Sequence, residues 1–179
     1  MKGVIFTELL DMVESQMGIE MVDTIIEEAK LESEGAYTSV GTYPTWEIEA
    51  LIERLTYHTG HSREVLLEVF GQFLFGRLAA HYPHFFPEKV DFFDFMASIH
   101  DYIHLEVQKL YPDAELPELH VQEKDDESIS LLYESSRKMA RLARGLIKGC
   151  MEHFGINGTI EEELLSNDGS KVAFRIKKA

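Results

Sequence analysis

The chain has 179 residues, 45% of them hydrophobic, and a formal net charge of −15 from 32 acidic against 17 basic side chains. That size and apolar content suit one globular domain with a substantial core, while the charge argues against nucleic acid and anionic lipid as partners, since both need a basic surface. One cysteine, Cys150, excludes an intrachain disulfide and a multi-cysteine zinc site; with no run of ~18 apolar residues for a membrane span and no signal-like start, cytoplasmic residence is the expectation.

Ile5, Leu9, Met12 and Val13 recur at helical spacing, so the chain opens on an amphipathic helix that Gly18 ends. A second helix is predicted from Met21 to Ala29, and the Gly-, Ser- and Thr-containing stretch from Glu32 to Tyr43 reads as a loop. Pro44 precedes a third helix over Thr45 to Tyr57, with Glu47 and Glu49 where the helix dipole favours acid. Ser62 caps a long fourth helix whose apolar residues are Val65, Leu66, Val69, Phe70, Phe73, Leu74 and Leu78. Pro83 and Pro87 bracket an interruption. A further helix is predicted from about Lys89 to Leu110, burying Phe92, Met96, Ile99, Ile103, Val107 and Leu110.

Beyond Tyr111 the pattern changes. Pro112 and Pro117 mark an extended segment. Leu119 to Val121 and Ser128 to Tyr133 read as strands about a charged turn. A helix over Ser136 to Phe154 follows, and strands Thr159 to Leu165 and Lys171 to Ile176 flank the hairpin turn Asn167-Asp168-Gly169-Ser170. The prediction is one α+β domain over residues 1–179, with a helical sub-lobe of about 1–60 and a second of about 61–179 holding antiparallel strands and one long helix.

Chemistry concentrates at two places. His100 and His104 lie one turn apart on the flank of an apolar stripe, a spacing that can bind metal or simply sit satisfied in a core. Asp101 stands where a zinc protease needs Glu, and no second helix carries the Glu-x-x-His of a di-iron bundle. The pairs His58/His61 and His81/His84 sit near helix ends and read as surface or capping residues. Cys150, in a helical run, reads as a buried inert thiol.

Tyr133-x-Ser135-x-Arg137 places two hydroxyls and a guanidinium at a strand-to-helix junction. Ser135 or Ser136 would cap the helix, whose free N–H groups attract anions, and Arg137 matches a carboxylate. The set suits the two propionates of a haem; an ordinary serine cap beside an exposed arginine is the plain alternative. No glycine-rich phosphate loop, Gly-x-Ser-x-Gly nucleophile or paired acid and base is present, so no enzyme is expected. A non-haem metal protein using His100 and His104, and a cofactor-free adaptor, remain open on these residues.

Ile99-His100-Asp101-Tyr102-Ile103-His104-Leu105-Glu106-Val107, followed by Leu110-Tyr111-Pro112, resembles the proximal-histidine helix of the H-NOX family. These are the haem nitric oxide/oxygen binding domains related to the haem domain of soluble guanylate cyclase. Tyr133-x-Ser135-x-Arg137 matches the family's propionate-binding motif, Met1-Lys2-Gly3-Val4-Ile5 looks like its opening, and the similarity spans essentially the whole chain. The resemblance implies a haem b buried between the sub-lobes and clamped by the second. His104 would be the iron ligand, Tyr133, Ser135 and Arg137 would hold the propionates, and Ile5 and Pro117 would press on the ring.

Family members that bind oxygen carry a distal tyrosine with polar support. In this chain that position holds Leu142, the supporting positions hold Leu9 and Leu74, and Leu78 and Leu146 fill more of the wall. Oxygen on iron gains partial negative charge and benefits from a donor by roughly 1–3 kcal/mol, which leucines cannot give. The resemblance therefore implies a stand-alone sensor of NO, also binding CO but not oxygen, that regulates a separate histidine kinase or cyclic-di-GMP enzyme. Some bacterial members carry a zinc site built from cysteines and histidine; with Cys150 alone and an acidic stretch at Glu161 to Asp168, that site is expected to be absent.

Overall fold

In the computed structural model, which describes residues 1–86 and 90–179, the first helix organises the helical lobe. Helix α1 (Gly3–Met17) turns Phe6, Leu9, Met12 and Val13 inward, and Gly18, at φ 86°, ends it. Helices α2 (Ile19–Ala29) and α3 (Thr45–Thr59) close over that stripe with Val22, Ile25, Ile48, Leu51, Ile52 and Leu55. Each such side chain taken fully from water contributes about 1.5–3 kcal/mol. Gly60 ends α3 in the left-handed conformation, at φ 72°.

The loop between α2 and α3 is fastened to the chain start. Thr42 bridges to Lys2, the Gly3 N–H donates to the Gly41 carbonyl at 2.8 Å, and the terminal amine donates to the Tyr43 carbonyl at 2.7 Å. Its inner anchor is Glu47, fully buried, which accepts from the Ser33 hydroxyl and the Tyr37 hydroxyl at 2.6 Å each and from the Ser33 N–H at 3.1 Å. Burial alone would raise this carboxyl's pKa, but the bonds from Ser33 and Tyr37 bring it below its usual value. Phe6 stacks on Tyr37, with ring centroids 4.5 Å apart. The first residues are thus held in one place.

Helix α4 (Arg63–His81) begins on Ser62, whose hydroxyl accepts from the Val65 N–H. Leu66, Phe70 and Leu74 are buried as the periodicity predicts, but Val65 and Val69 face outward, about half exposed. The helix packs instead along a second face, against α7 (Ala140–His153), and glycines set their separation. A Cβ on Gly71 would lie 2.3 Å from the Leu142 carbonyl oxygen, and one on Gly145 would lie 2.1 Å from that of Glu68.

The single helix predicted up to Leu110 is three pieces in the described residues: α5 (Phe92–Ser98), a π-helical turn (Ile99–Ile103) and α6 (His104–Leu110). Its predicted start at Lys89, like Pro87, lies outside the described residues. Asp91 caps α5 by accepting from the N–H groups of Phe93 and Asp94. One extra residue in the π turn shifts the helical phase, so Leu110, predicted buried, is 55% exposed.

Strands β1 (Glu118–Lys124), β2 (Ser128–Glu134), β3 (Gly158–Leu164) and β4 (Lys171–Lys178) form an antiparallel sheet in the order β1-β2-β4-β3. Ile129, Leu131 and Tyr133 of β2 alternate inward and pair across with Ile176, Phe174 and Val172 of β4. These side chains join α5 and α7 in a second core. The β3–β4 turn follows the predicted residues, with Gly169 at φ 75°. The architecture is α+β, as the sequence indicated.

Candidate functional site

Between the two cores lies an apolar cavity of about 320 Å³, within the usual range for small-molecule sites. The chain start supplies Val4 and Ile5, α4 supplies Leu74 and Leu78, and α7 supplies Leu142 and Leu146. His104 and Pro117 reach it from the α5–α6 segment and the stretch before β1, and Tyr133, Ser135 and Arg137 from the end of β2. Ten of the sequence-derived site residues therefore share one space. Leu9 does not line it; it is fully buried in the helical core that also holds Leu74 and Leu142.

His104 stands at the junction of the π turn and α6. Its backbone N–H donates to the Ile99 carbonyl, five residues back, which is the bond that makes the turn π. Turns of this kind insert one residue into a helix and frequently occur at functional sites. The His104 side chain is largely buried, and its Nδ1 has no hydrogen-bond partner; the same is true of His100 Nδ1. Burial, with His100 nearby, lowers the His104 pKa to about 4, with the Pro117 carbonyl acting the other way. At neutral pH the ring is uncharged, the form in which imidazole binds a metal.

At the other end of the motif the helix prediction needs correcting. Helix α7 begins at Ala140, not Ser136, with Met139 at its start and no side-chain cap. Lys138 adopts φ 56°, a left-handed conformation that ends any helix through Ser136 and Arg137. Ser135 therefore caps no helix: its hydroxyl accepts from the Arg137 N–H at 3.2 Å, stabilising a turn. Arg137 consequently projects from a turn rather than from a first helical turn. Its guanidinium donates to the Glu115 carboxylate at 2.9 Å, to the Glu115 carbonyl and to the Thr45 hydroxyl at 3.3 Å. Glu115 is thus the carboxylate that engages this cation here. Tyr133 is buried, and that burial raises its hydroxyl pKa against the pull of Ser135, Met139 and Arg137.

Tyr82 and Tyr111 also line the cavity, their hydroxyls 3.5 Å apart, and sequence reasoning missed both. Each lies beside a helix end, at Tyr82 after α4 and Tyr111 after α6, where an aromatic residue carries no periodic signal. The mutual bond, then burial, raises the Tyr82 pKa to about 12. Cys150 is buried at the same cavity and its thiol is pushed far up by desolvation, so no thiolate forms at neutral pH.

A family model described as Haem-NO-binding matches residues 2–162. The chain belongs to the H-NOX family. Solved H-NOX structures agree over its full length. The Fe(II) unliganded H-NOX protein from K. algicida is 43% identical, with a TM-score of 0.95, covering 100% of this chain and 97% of that one. An H-NOX protein from S. oneidensis in the Fe(II)NO ligation state is 30% identical, with a TM-score of 0.92, covering 100% and 99%. The H-NOX from Shewanella woodyi, bound to IWP-051 in the Fe(II)CO state, is 38% identical, with a TM-score of 0.85, covering 100% and 95%. No curated protein sequence matches the chain.

H-NOX domains bind haem and take gaseous ligands such as NO and CO; they are sensor domains, generally without catalysis. The residues present fit that group. An apolar cavity holds a neutral imidazole whose Nδ1 has no hydrogen-bond partner, and a turn at its edge carries a cation already engaged by a carboxylate. No helix in the described residues is long and apolar enough to cross a membrane.

Proposed function

We propose that the protein is a non-catalytic, cytoplasmic NO sensor carrying haem b, with His104 as the iron ligand and Tyr133, Ser135 and Arg137 holding the propionates. The observation that carries this reading is the meeting of a neutral His104, Arg137 and a leucine wall on one cavity. Ile5 and Pro117 would bear on the ring plane, and Leu74, Leu78, Leu142 and Leu146 would form the gas-facing wall, with Leu9 behind it in the core. That wall offers no donor to a charged ligand atom, which favours NO and CO over oxygen.

Held by His104, Tyr133, Ser135 and Arg137, haem would supply an iron able to bind a gaseous ligand. A change in the restraint on His104 would let the π turn from Ile99 to Ile103 exchange the five-residue bond from His104 to Ile99 for α-helical bonds. Such a shift would move α6, which continues from that turn, and would change affinity for a partner by linkage. A histidine kinase or a cyclic-di-GMP enzyme fits the role of that partner.

Absorption spectra of the reduced protein test the reading. A Soret band of five-coordinate ferrous haem is expected, unmoved by air and shifted by NO and by CO. His104→Gly should lose that coordination and regain it with added imidazole. A colourless protein after expression with ample haem, or a His104→Gly variant with the parent's spectrum, would sink the proposal.

A further inference from the structure

We propose that Glu118, His120 and Glu134 form a binding site for a divalent first-row transition-metal ion of the zinc class, on the edge of the sheet beside the helix that carries His104. Among the described residues these three side chains bring an imidazole nitrogen and two carboxylate oxygens within 4.8 Å of one another.

The sheet register makes the cluster. Glu118 of edge strand β1 stands directly opposite Glu134 of β2, and His120, two residues on, shares the face of Glu118. Like charges placed directly opposite in an antiparallel pair are destabilising, so this pair calls for a cation. Lys171, opposite Glu134 on β4, supplies part of it through an ion pair with Glu134. Glu118 makes no ion pair with Lys171 and pairs instead with His120, whose Nε2 lies 3.0 Å from a Glu118 oxygen. The two carboxylates carry one negative charge more than Lys171 neutralises, in a chain that already concentrates cations by its charge of −15.

The donor set chooses the ion. Oxygen-only sites suit Mg²⁺ and Ca²⁺, whereas an imidazole among carboxylates suits zinc and its neighbours. Ligands about 2.0–2.1 Å from a tetrahedral ion lie roughly 3.3 Å apart, so small side-chain rotations close the present cluster onto one centre. The fourth position is open to water. A fourth group stands near: the His100 ring lies edge-on to His120, with centroids 4.9 Å apart, and its buried Nδ1 has no hydrogen-bond partner. His100 belongs to the π turn that ends on His104, so an ion on His120 would bear directly on that turn. This donor set has no cysteine and lies far in the chain from Glu161 to Asp168, where the sequence argued against a cysteine-built zinc site.

Calorimetric titration of Zn²⁺ into the full-length protein tests the site, with Mg²⁺ and Ca²⁺ as comparisons. One zinc per chain is expected, undisturbed by excess Mg²⁺ or Ca²⁺, and zinc should raise the melting temperature. His120→Ala and Glu134→Gln should each weaken binding roughly tenfold or more, while melting as the parent does without zinc. Lys171→Met, which removes the competing cation, should tighten binding; His58→Ala, a surface control, should leave it unchanged. His104→Gly separates this proposal from the haem reading, because zinc binding should persist there whether or not haem is lost. Unchanged zinc affinity in His120→Ala, zinc binding lost in His104→Gly, or equal displacement by Mg²⁺ would overturn the site.

Discussion

Gly145→Ala tests whether the distance between α4 and α7 holds the leucine wall of the cavity. The added Cβ would sit 2.1 Å from the Glu68 carbonyl oxygen and 2.8 Å from the Gly71 Cα. Comfortable carbon–oxygen contacts need about 3.3 Å, so the helices must part by roughly 1 Å. Both obstructing groups are backbone, and no side-chain rotation relieves them. Overpacking of this kind costs about 1–3 kcal/mol; the upper end applies, and the better helix propensity of alanine returns up to about 1 kcal/mol. A net loss of about 2 kcal/mol corresponds to a fall in Tm of about 4–8 °C for a chain of this size. Leu142 and Leu146 ride on the displaced helix, so gas association rates should change as well. Differential scanning calorimetry gives the first number and stopped-flow mixing with CO the second. A variant that melts at or above the parent temperature would refute the claim that glycine sets this contact.

Leu142→Tyr places a donor on the wall; a measurable spectral response to air, absent in the parent, is the expected outcome, and Tyr82→Phe in that background shows whether Tyr82 assists. Arg137→Met removes charge-assisted bonds worth about 1.5–3 kcal/mol and should speed haem loss to apomyoglobin roughly 10–100-fold. Glu115→Gln, which frees Arg137 from its present carboxylate, should slow that loss. Glu47→Ala strands the Ser33 and Tyr37 donors in the core and should cost about 3 kcal/mol or more in urea melts. Because the Glu47 carboxyl titrates below its unfolded value of 4.5, its contribution is present above that pH and fades as pH falls through and below it. The parent should therefore lose its advantage over Glu47→Ala in acid, and a constant difference from pH 7 to pH 3 would contradict this.

What the sequence made legible was periodic or capped. Ile5, Leu9, Met12 and Val13 announced α1, Ser62 announced α4, and Asn167-Asp168-Gly169-Ser170 announced the last hairpin, because each signal is local. The proposed site residues were picked out by motif spacing and family resemblance, and the cavity that ten of them line required the fold. Features set by a single unusual dihedral or an inserted residue were not legible. Lys138 at φ 56° delays α7 to Ala140 and removes the capping role expected of Ser135 and Ser136. The π turn at Ile99 breaks a helix whose apolar spacing reads as continuous. Val65 and Val69 look like core in a one-dimensional stripe, but α4 spends its second face on the glycines of α7. Glu47 looked like a favourable charge at a helix start, while it is in fact the buried post on which the preceding loop is hung.

The two sides of the cavity differ in how firmly they are held, and this bears on where a ligand's binding energy can go. Leu74 and Leu142 belong to long helices locked through backbone contact at Gly71 and Gly145, and they extend a fully buried core. His104 belongs to α6, which together with the π turn contributes no fully buried residue, although α5 just before them buries Phe92, Phe93, Phe95 and Met96. Segments with few buried apolar contacts open and rearrange at lower free energy than locked ones. A perturbation at the centre of the cavity will therefore be taken up on the His104 side, hinged where α5 ends, while the leucine wall keeps its shape. On the proposed reading, discrimination between gases and transmission of the signal would fall to different stretches of chain. Substitutions in the wall should alter which ligand binds with little effect on the movement, and substitutions in the π turn should do the reverse.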